Sequence, residues 1–144
     1  MRLATIKLNG KEIAGIVTES GILPIAALNA AKGTAWKEEM YELICAQQVP
    51  GLTKWYNEGG KDELKTIPGL VPQDQVEYAP LYRNPRRIFG IGLNYAEHAG
   101  DIGNAPPQGF PGSFFKMADT LIGPGDEIQD RKSTRLNSSH NNRS

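Results

Sequence analysis

The sequence predicts an α+β fold, in which a small N-terminal unit of strands and helices precedes the start of a second unit built on a β-sheet. Three observations support this fold class. Short β-branched segments flank an Asn-Gly pair near the N-terminus, a helical spacing of apolar residues follows them, and prolines separate both from two later apolar segments. A chain of 144 residues has room for one ordinary domain, or for one small domain and part of another.

The first elements are predicted to be strands of a small β-meander. Residues 3–8 and 12–18 are β-branched and partly alternating, and Asn9-Gly10 between them is a strong hairpin signal. The short apolar segment 22–25 follows, and its Pro24 predicts an edge strand or the end of a strand.

A helix of about 12–14 residues is predicted from Thr34 onward. Thr34 can cap it. Glu38 and Glu39 place negative charge in its first turns, where it interacts favourably with the helix dipole. One helical face would hold Trp36, Met40, Leu43, Ile44 and Gln47. Pro50-Gly51 would stop this helix, and a weaker helical stretch would follow before Gly59-Gly60 breaks it.

Prolines mark the predicted boundary between the two units. Pro68, Pro72 and Pro80 restrict the backbone of a polar, turn-rich stretch, as expected of a linker or an extended crossing. We therefore place a small N-terminal α+β domain at residues 1–72 and the start of a second domain at residues 73–130.

The second unit is predicted to contain two strands. Residues 87–92 have the composition of a buried strand, 94–101 of a short helical turn, 113–117 of another strand, and 123–126 of a tight turn. Two strands alone would leave strand edges unpaired and apolar side chains uncovered. The uncovered side chains would be those of Phe89, Phe114 and Phe115. We therefore expect poor solubility.

The last fourteen residues, 131–144, depart from every pattern before them. They hold one large aliphatic residue, no aromatic residue and no acid, so they cannot bury enough surface to offset the entropy of ordering. The stretch from Arg131 to His140 resembles a sequencing-library adapter translated in frame. We therefore expect a disordered, non-native tail, and a natural protein that continues beyond about residue 130.

Charge and cysteine content exclude several classes of protein. The whole chain has sixteen basic and sixteen acidic residues, and residues 1–130 hold twelve basic and all sixteen acidic ones, a net charge of −4. This balance argues against a nucleic-acid or anionic-membrane partner. The single cysteine, Cys45, cannot form an intrachain disulfide and is expected to be a packed, inert thiol on the predicted helix. With no signal peptide or apolar span recognised, we predict a reducing, cytoplasmic location.

His98 and Asp101 form the candidate catalytic pair. On the predicted helical turn they are three residues apart, so both side chains lie on one face within reach of each other. A carboxylate that accepts one ring N–H fixes the tautomer and makes the other nitrogen a better base for water. The same spacing also fits an ordinary surface pair. Gly90-x-Gly92 is not a dinucleotide-binding motif, because Tyr95 stands where another glycine is required.

Three segments of the second unit resemble the beginning of the catalytic domain of the fumarylacetoacetate hydrolase family. They are residues 88–98 (Ile-Phe-Gly-Ile-Gly-Leu-Asn-Tyr-Ala-Glu-His), residues 114–116 (Phe-Phe-Lys) and residues 121–126 (Leu-Ile-Gly-Pro-Gly-Asp), in the order and spacing of the family. The resemblance covers residues 1–130. It implies a small N-terminal domain of β-meander and helix, followed by the truncated start of a mixed β-sheet catalytic domain.

The resemblance implies a metal-dependent catabolic enzyme acting on small dicarbonyl or 2-oxo acids, by C–C bond hydrolysis or by an isomerase, decarboxylase or lyase step. In such enzymes Mg²⁺ or Mn²⁺ holds adjacent substrate oxygens while a His–carboxylate pair prepares the attacking water. His98 matches that histidine, and Asp101 stands where the family often has glutamate. Lys116 matches a lysine that can counter substrate charge, although Met117 replaces the proline that usually follows it.

The resemblance also locates what this chain lacks. The family's metal ligands, a Glu-x-Glu pair and a later aspartate, belong beyond the Gly-Pro-Gly-Asp turn, and Asp126 and Glu127 resemble turn residues of the family. We therefore expect no metal site in this chain, an inactive fragment, and a homodimer when the enzyme is complete. An alternative stays open. The chain would then be a stand-alone small α+β binding or assembly module, built from the hairpin, the helix and the Trp36/Trp55 cluster, without catalysis.

Overall fold

The computed structural model describes residues 1–92 and 112–128, and these residues adopt an α+β fold. Strands β1 (Leu3–Leu8), β2 (Lys11–Val17), β3 (Gly21–Pro24) and β4 (Val71–Pro72) form an antiparallel sheet in the order β1-β2-β3-β4. Between β3 and β4 lie the helices α1 (Ile25–Lys32), α2 (Met40–Cys45), α3 (Val49–Trp55) and α4 (Lys61–Glu63). A second, antiparallel sheet holds β5 (Ile88–Gly92) and β6 (Gly112–Lys116). Within these residues no helix combines the length and apolar character needed to cross a membrane.

The Asn9-Gly10 turn joins β1 to β2, which confirms the predicted hairpin. Leu8 pairs with Lys11 across the turn. Asn9 (φ 51°) and Gly10 (φ 75°) both adopt the left-handed backbone that a two-residue type I′ turn requires. The prediction of a strand ending at Pro24 is also confirmed, because Pro24 is the last residue of β3.

Helix α1 is absent from the predicted elements. It begins at Ile25, directly after the proline that ends β3, and it buries Ile25 and Leu28. The four alanines of this segment favour a helix, a signal that the strand interpretation of residues 22–25 obscured. Gly33 follows the helix with a left-handed backbone (φ 64°), and its N–H donates to the Asn29 carbonyl.

The helix predicted from Thr34 onward is wrong in its first half, since α2 begins only at Met40. The Glu38 carbonyl accepts a hydrogen bond from the Ala14 N–H of β2 at 2.7 Å, so the chain before α2 lies along a strand. Thr34 does not cap a helix. Its hydroxyl donates instead to Asn29 Oδ1 at 2.9 Å.

Pro50 lies in the first turn of α3, where a proline is tolerated because the N–H it lacks would have no helical partner. It therefore helps to begin a helix, and the prediction that it would end a long one is wrong. The weaker helical stretch predicted after it is confirmed as α3. The chain then bends at Gly59 (φ 118°) before α4. Gly60 is required by close packing, because a Cβ there would lie 2.6 Å from the Trp55 ring.

The hydrophobic core lies between one face of the first sheet and the helices. It contains Ala14, Ile16, Leu23, Ile25, Leu28, Met40, Leu43, Leu52, Leu64 and Ile67. Trp36 and Trp55 pack against this core. Ile6 and Ile22, which strand alternation places on the opposite face of the sheet, are fully buried as well. The N-terminal unit therefore has a core of its own.

Cys45, the last residue of α2, is exposed, so the prediction of a packed thiol is wrong. Helical geometry explains the difference, because Cys45 lies two residues, or about 200°, past the buried Leu43. Met40 and Leu43 face the core, whereas Ile44 and Cys45 face solvent.

Residues 77–83 run beside β1, on the side that β2 does not occupy. The Lys7 N–H donates to the Glu77 carbonyl at 2.8 Å, and the Ala79 N–H donates to the Thr5 carbonyl at 3.0 Å. The Thr5 hydroxyl donates to the Leu81 carbonyl at 2.7 Å. Residues on both sides of the predicted boundary near residue 72 thus pack on the first sheet, and the boundary itself stays a prediction.

Strands β5 and β6 carry uncovered apolar side chains. Phe89 pairs with Phe115 across the ladder, and the two rings are 58% and 68% exposed. Phe114, on the opposite face, is 46% exposed and packs over Gly90, where an added Cβ would lie 2.4 Å from its ring. The exposure confirms the expectation of uncovered side chains in the second unit, and it shows that residues 87–92 do not form a buried strand here.

The tight turn predicted at residues 123–126 is confirmed. The Asp126 N–H donates to the Gly123 carbonyl at 3.1 Å, and Gly125 has a left-handed backbone (φ 82°). The helical turn predicted at residues 94–101 and the tail predicted at 131–144 lie outside the described residues.

Candidate functional site

Lys116 is the predicted site residue whose position the structure describes, whereas His98 and Asp101 lie outside the described residues. Lys116 is the last residue of β6, pairs with Ile88 of β5, and is exposed. Within residues 1–92 and 112–128, no carboxylate forms an ion pair with its ammonium group. In the described part of the chain its charge is thus not neutralised by a neighbour.

The second sheet fixes where the segment with His98 and Asp101 leaves and rejoins the described chain. Gly92 and Gly112 are paired across β5 and β6, so the two ends of that segment are neighbours. Lys116 lies further along β6, about 14 Å away at the usual rise of a strand.

Five charged side chains form a cluster where residues 77–83 and the 123–126 turn meet the first sheet. We call Lys7, Glu12, Glu77, Arg83 and Asp126 the charged cluster. Lys7 Nζ lies 2.7 Å from Glu77 Oε1, and Arg83 Nη2 lies 2.7 Å from Glu12 Oε1. Arg83 Nε also donates to both Glu12 oxygens, at 3.0 and 3.1 Å. Asp126 lies between the two cations, 3.8 Å from Lys7 Nζ and 3.8 Å from Arg83 Nη2.

The cluster favours the charged forms of Asp126, Lys7 and Arg83. The hydrogen bond from the Gly123 N–H is the main reason that the pKa of Asp126 is lowered, and the charges of Lys7 and Arg83 lower it further. The hydrogen bond to Glu77 raises the pKa of Lys7, and the hydrogen bond to Glu12 raises the pKa of Arg83. All three pKa shifts are in the direction that keeps these neighbouring groups oppositely charged.

The described residues do not fit a metal ion. Within residues 1–92 and 112–128, no group of three or more His, Cys, Asp or Glu side chains is arranged to hold one. Asp126 accepts the Gly123 N–H and lies beside Lys7 and Arg83. These contacts are those of a structural ion pair. We therefore derive no chemical step through a metal.

Two surface grooves of the described residues lie beside the first sheet and its helices. One, of about 960 Å³, lies between the loop before α2 and residues 81–84, and its wall includes Trp36, Tyr41 and Tyr82. The Tyr41 and Tyr82 rings are tilted against each other with centroids 5.5 Å apart. The other groove, of about 700 Å³, lies beside the N-terminus and α4. Lys116 lines neither groove, so both are separate from the predicted substrate-binding residue.

Comparison with curated proteins finds similarity over part of the chain. An uncharacterised protein of Pyrococcus horikoshii is 43% identical over 53 residues, which is 36% of this chain and 23% of that protein. The mitochondrial oxaloacetate tautomerase of Rattus norvegicus is 32% identical over 59 residues, which is 41% of this chain and 18% of that protein. The matched stretches therefore span less than a quarter of the length of these relatives. No protein-family profile and no solved structure matches the chain.

The rat relative is a protein with a fumarylacetoacetate hydrolase domain, so the comparison supports a partial likeness to that family and no specific activity.

The charged cluster is not among the features predicted from the sequence. Its two hydrogen-bonded pairs join residues 70 and 71 positions apart, and no local pattern in the sequence connects Lys7 with Glu77 or Glu12 with Arg83.

Proposed function

We propose that this chain is part of a protein of the fumarylacetoacetate hydrolase family, with residues 1–72 as its small N-terminal domain and residues 73–130 as the start of its catalytic domain. The observation that carries the proposal is the run of elements after residue 87. Strands β5 and β6 coincide with two of the motif segments, and the Gly-Pro-Gly-Asp segment after them forms a tight turn. The partial similarity to the rat oxaloacetate tautomerase supports the same family.

The exposed apolar side chains of the second sheet also support this proposal. A two-stranded sheet is marginally stable alone, and contiguous exposed aromatic residues are typical of surfaces that other elements cover. Phe89 and Phe115 lie on one face, with ring centroids 5.5 Å apart and most of each side chain exposed. In the whole protein we expect further strands to extend this sheet and cover that face.

The proposed substrates are small 2-oxo or dicarbonyl acids. Tautomerisation is the first reaction to test, because the rat relative is named as a tautomerase of oxaloacetate. Hydrolysis of a C–C bond, decarboxylation and a lyase step are the other reactions that the resemblance implies. Tautomerisation, hydrolysis and the lyase step need a base that takes a proton. All four reactions form negative charge on the substrate, which a positive charge offsets.

We assign these roles to residues of the second unit. His98 would be the base, Asp101 would accept its other ring N–H and hold the tautomer, and Lys116 would bind a substrate carboxylate. The dependence on Mg²⁺ or Mn²⁺, the cytoplasmic location and the homodimer are carried over from the resemblance and the sequence as expectations for the whole protein. The fold of the described residues is explained without these catalytic, metal-binding and dimerisation roles.

The test uses the protein expressed from the reading frame as it continues past codon 130. We expect it to accelerate the enol–keto interconversion of oxaloacetate, or the hydrolysis of an acylpyruvate, in the presence of Mg²⁺. His98→Gln should lower kcat at least about 100-fold, the usual contribution of a general base. Glu97→Gln is the matched control, because it removes the neighbouring ionisable group. Full activity of the His98→Gln protein would contradict the proposed mechanism.

Lys116 has its own test in the same protein. Lys116→Met should raise KM for a dianionic substrate with a smaller effect on kcat, because the substrate loses a charge partner in both the bound and the transition state. Lys65→Met is the control, since Lys65 is also exposed but lies in the N-terminal unit. Equal KM values for the two variants would remove Lys116 from the site.

A stand-alone binding or assembly module is the second candidate. The separate core of the N-terminal unit and the groove of about 960 Å³ beside Tyr41 and Tyr82 favour it. Such a module should unfold cooperatively as the 144-residue chain, with a midpoint that Mg²⁺ does not change. Turnover by the longer protein, lost with His98→Gln, would decide in favour of the enzyme.

A further inference from the structure

The turn at residues 123–126 rests on a layer that is itself fixed to the first sheet. The underlying segment is bound to β1 through the Ala79 N–H, which donates to the Thr5 carbonyl. Gly123 packs on buried Pro80 so closely that an added Cβ would lie 2.8 Å from Pro80 Cδ. The turn is therefore seated at a defined position on residues 77–83.

Asp126 occupies this position with two kinds of contact. Its Oδ2 accepts the Gly123 N–H at 2.7 Å, which closes the turn. Its carboxylate also lies 3.8 Å from Lys7 Nζ and from Arg83 Nη2. Both cations also form shorter bonds to carboxylates of their own, which hold the two charges in place beside Asp126.

The rest of the segment after β6 has little apolar anchorage. Met117 is 73% exposed, Ile122 is 46% exposed and Ile128 is 81% exposed. The hydrogen bonds at residues 118–121 are local, joining Thr120 and Leu121 to residues three positions earlier. Leu121 is partly buried, and the contacts of Gly123 and Asp126 add to this limited apolar anchorage.

We infer that Asp126, Lys7 and Arg83 form an electrostatic clasp that fastens residues 117–128 to the N-terminal sheet, and that releasing the Asp126 carboxylate frees this segment while the sheet stays folded. The clasp joins the chain that follows β6 to β1 and β2 through charged side chains at the surface. Exposed charges are screened by salt, so the attachment weakens as ionic strength rises.

The test follows the protection of residues 117–128 in the 144-residue chain, by amide exchange and by limited proteolysis. Asp126→Asn keeps the size of the side chain and an oxygen for the Gly123 N–H, so it removes the charge alone. We expect exchange and cleavage in this segment to become about two- to fivefold faster, with unchanged protection of β1 and β2. Asp119→Asn is the matched control, because Asp119 is an exposed carboxylate of the same segment that forms no ion pair within the described residues.

Salt and a double variant complete the test. Raising the salt concentration to 1 M, where the Debye length is about 3 Å, should free the segment of the unmodified chain and have little further effect on Asp126→Asn. The effects of Lys7→Gln and Asp126→Asn should be less than additive, because each breaks the same pair. The clasp is overturned if Asp126→Asn protects residues 117–128 as well as Asp119→Asn does, or if the two single effects simply add.

Discussion

The Asn29 side chain binds both backbone groups of Trp36. Its Nδ2 donates to the Trp36 carbonyl at 2.8 Å, and its Oδ1 accepts the Trp36 N–H at 3.0 Å. The same Oδ1 accepts the Thr34 hydroxyl. One side chain on α1 therefore fixes the loop that leads to α2, and it places the Trp36 ring over Gly51, where a Cβ would lie 3.1 Å from that ring.

Replacing Asn29 should loosen this loop and the packing of Trp36. Asn29→Ala removes three hydrogen bonds in a partly buried site, and we expect the free energy of unfolding to fall by about 1–3 kcal/mol. Urea unfolding followed by tryptophan fluorescence measures the change. Asn57→Ala, at an exposed position, is the control and should change the value by less than about 0.5 kcal/mol. Equal midpoints for the two variants would show that the loop is held by other contacts.

Helix α2 offers a test of the core through two neighbouring residues. Leu43 is fully buried whereas Ile44 is 43% exposed. Leu43→Ala should therefore cost about 2–5 kcal/mol, because it removes apolar contacts and leaves a cavity. Ile44→Ala should cost less than about 1 kcal/mol, because less of its surface is buried. Similar losses for both would contradict the orientation of α2, which places Leu43 inward.

The contrast between the hairpin and the helices shows which parts of the fold are local enough to predict. The Asn9-Gly10 turn depends on two adjacent residues with left-handed backbones, so its signal lies within the sequence segment itself. The loop before α2 depends on Asn29, on the preceding helix, and on a bond between Ala14 and the Glu38 carbonyl. The apolar spacing from Thr34 onward contains no information about those partners, so that spacing alone predicts a helix there.

The candidate site divides in the same way. The strand that ends at Lys116 and the turn that ends at Asp126 were predictable, because short apolar segments and Gly-Pro-Gly-Asp carry local signals. The ion pairs of Asp126 were not, since Lys7 and Arg83 reach it from distant parts of the chain. Charges on a surface become partners only when the fold brings them together, and composition alone does not record this.

The exposed rings of the second sheet should drive self-association of this chain. Replacing both with threonine (Phe89→Thr with Phe115→Thr) keeps a residue that favours strands and removes two exposed aromatic side chains. We expect the concentration at which association is half complete to rise about tenfold or more, since burying one such side chain contributes about 1.5–3 kcal/mol. Sedimentation velocity measures this, with Ile44→Ala as an exposed apolar control elsewhere. An unchanged association would place the adhesive surface outside β5 and β6.

Acid should release the 123–126 turn at a pH set by Asp126. The pKa of this carboxyl is lowered from its ordinary 3.8, first by the Gly123 N–H bond and then by the charges of Lys7 and Arg83. A group whose pKa is lower in the folded state contributes stability above its unfolded pKa, and this contribution is lost as pH falls through the folded pKa. The Gly123 amide resonance should therefore stay constant from neutral pH down to about 4 and shift only below that value. Asp126→Asn should abolish the shift. A midpoint above 3.8, or a shift that persists in Asp126→Asn, would show that another group controls the turn.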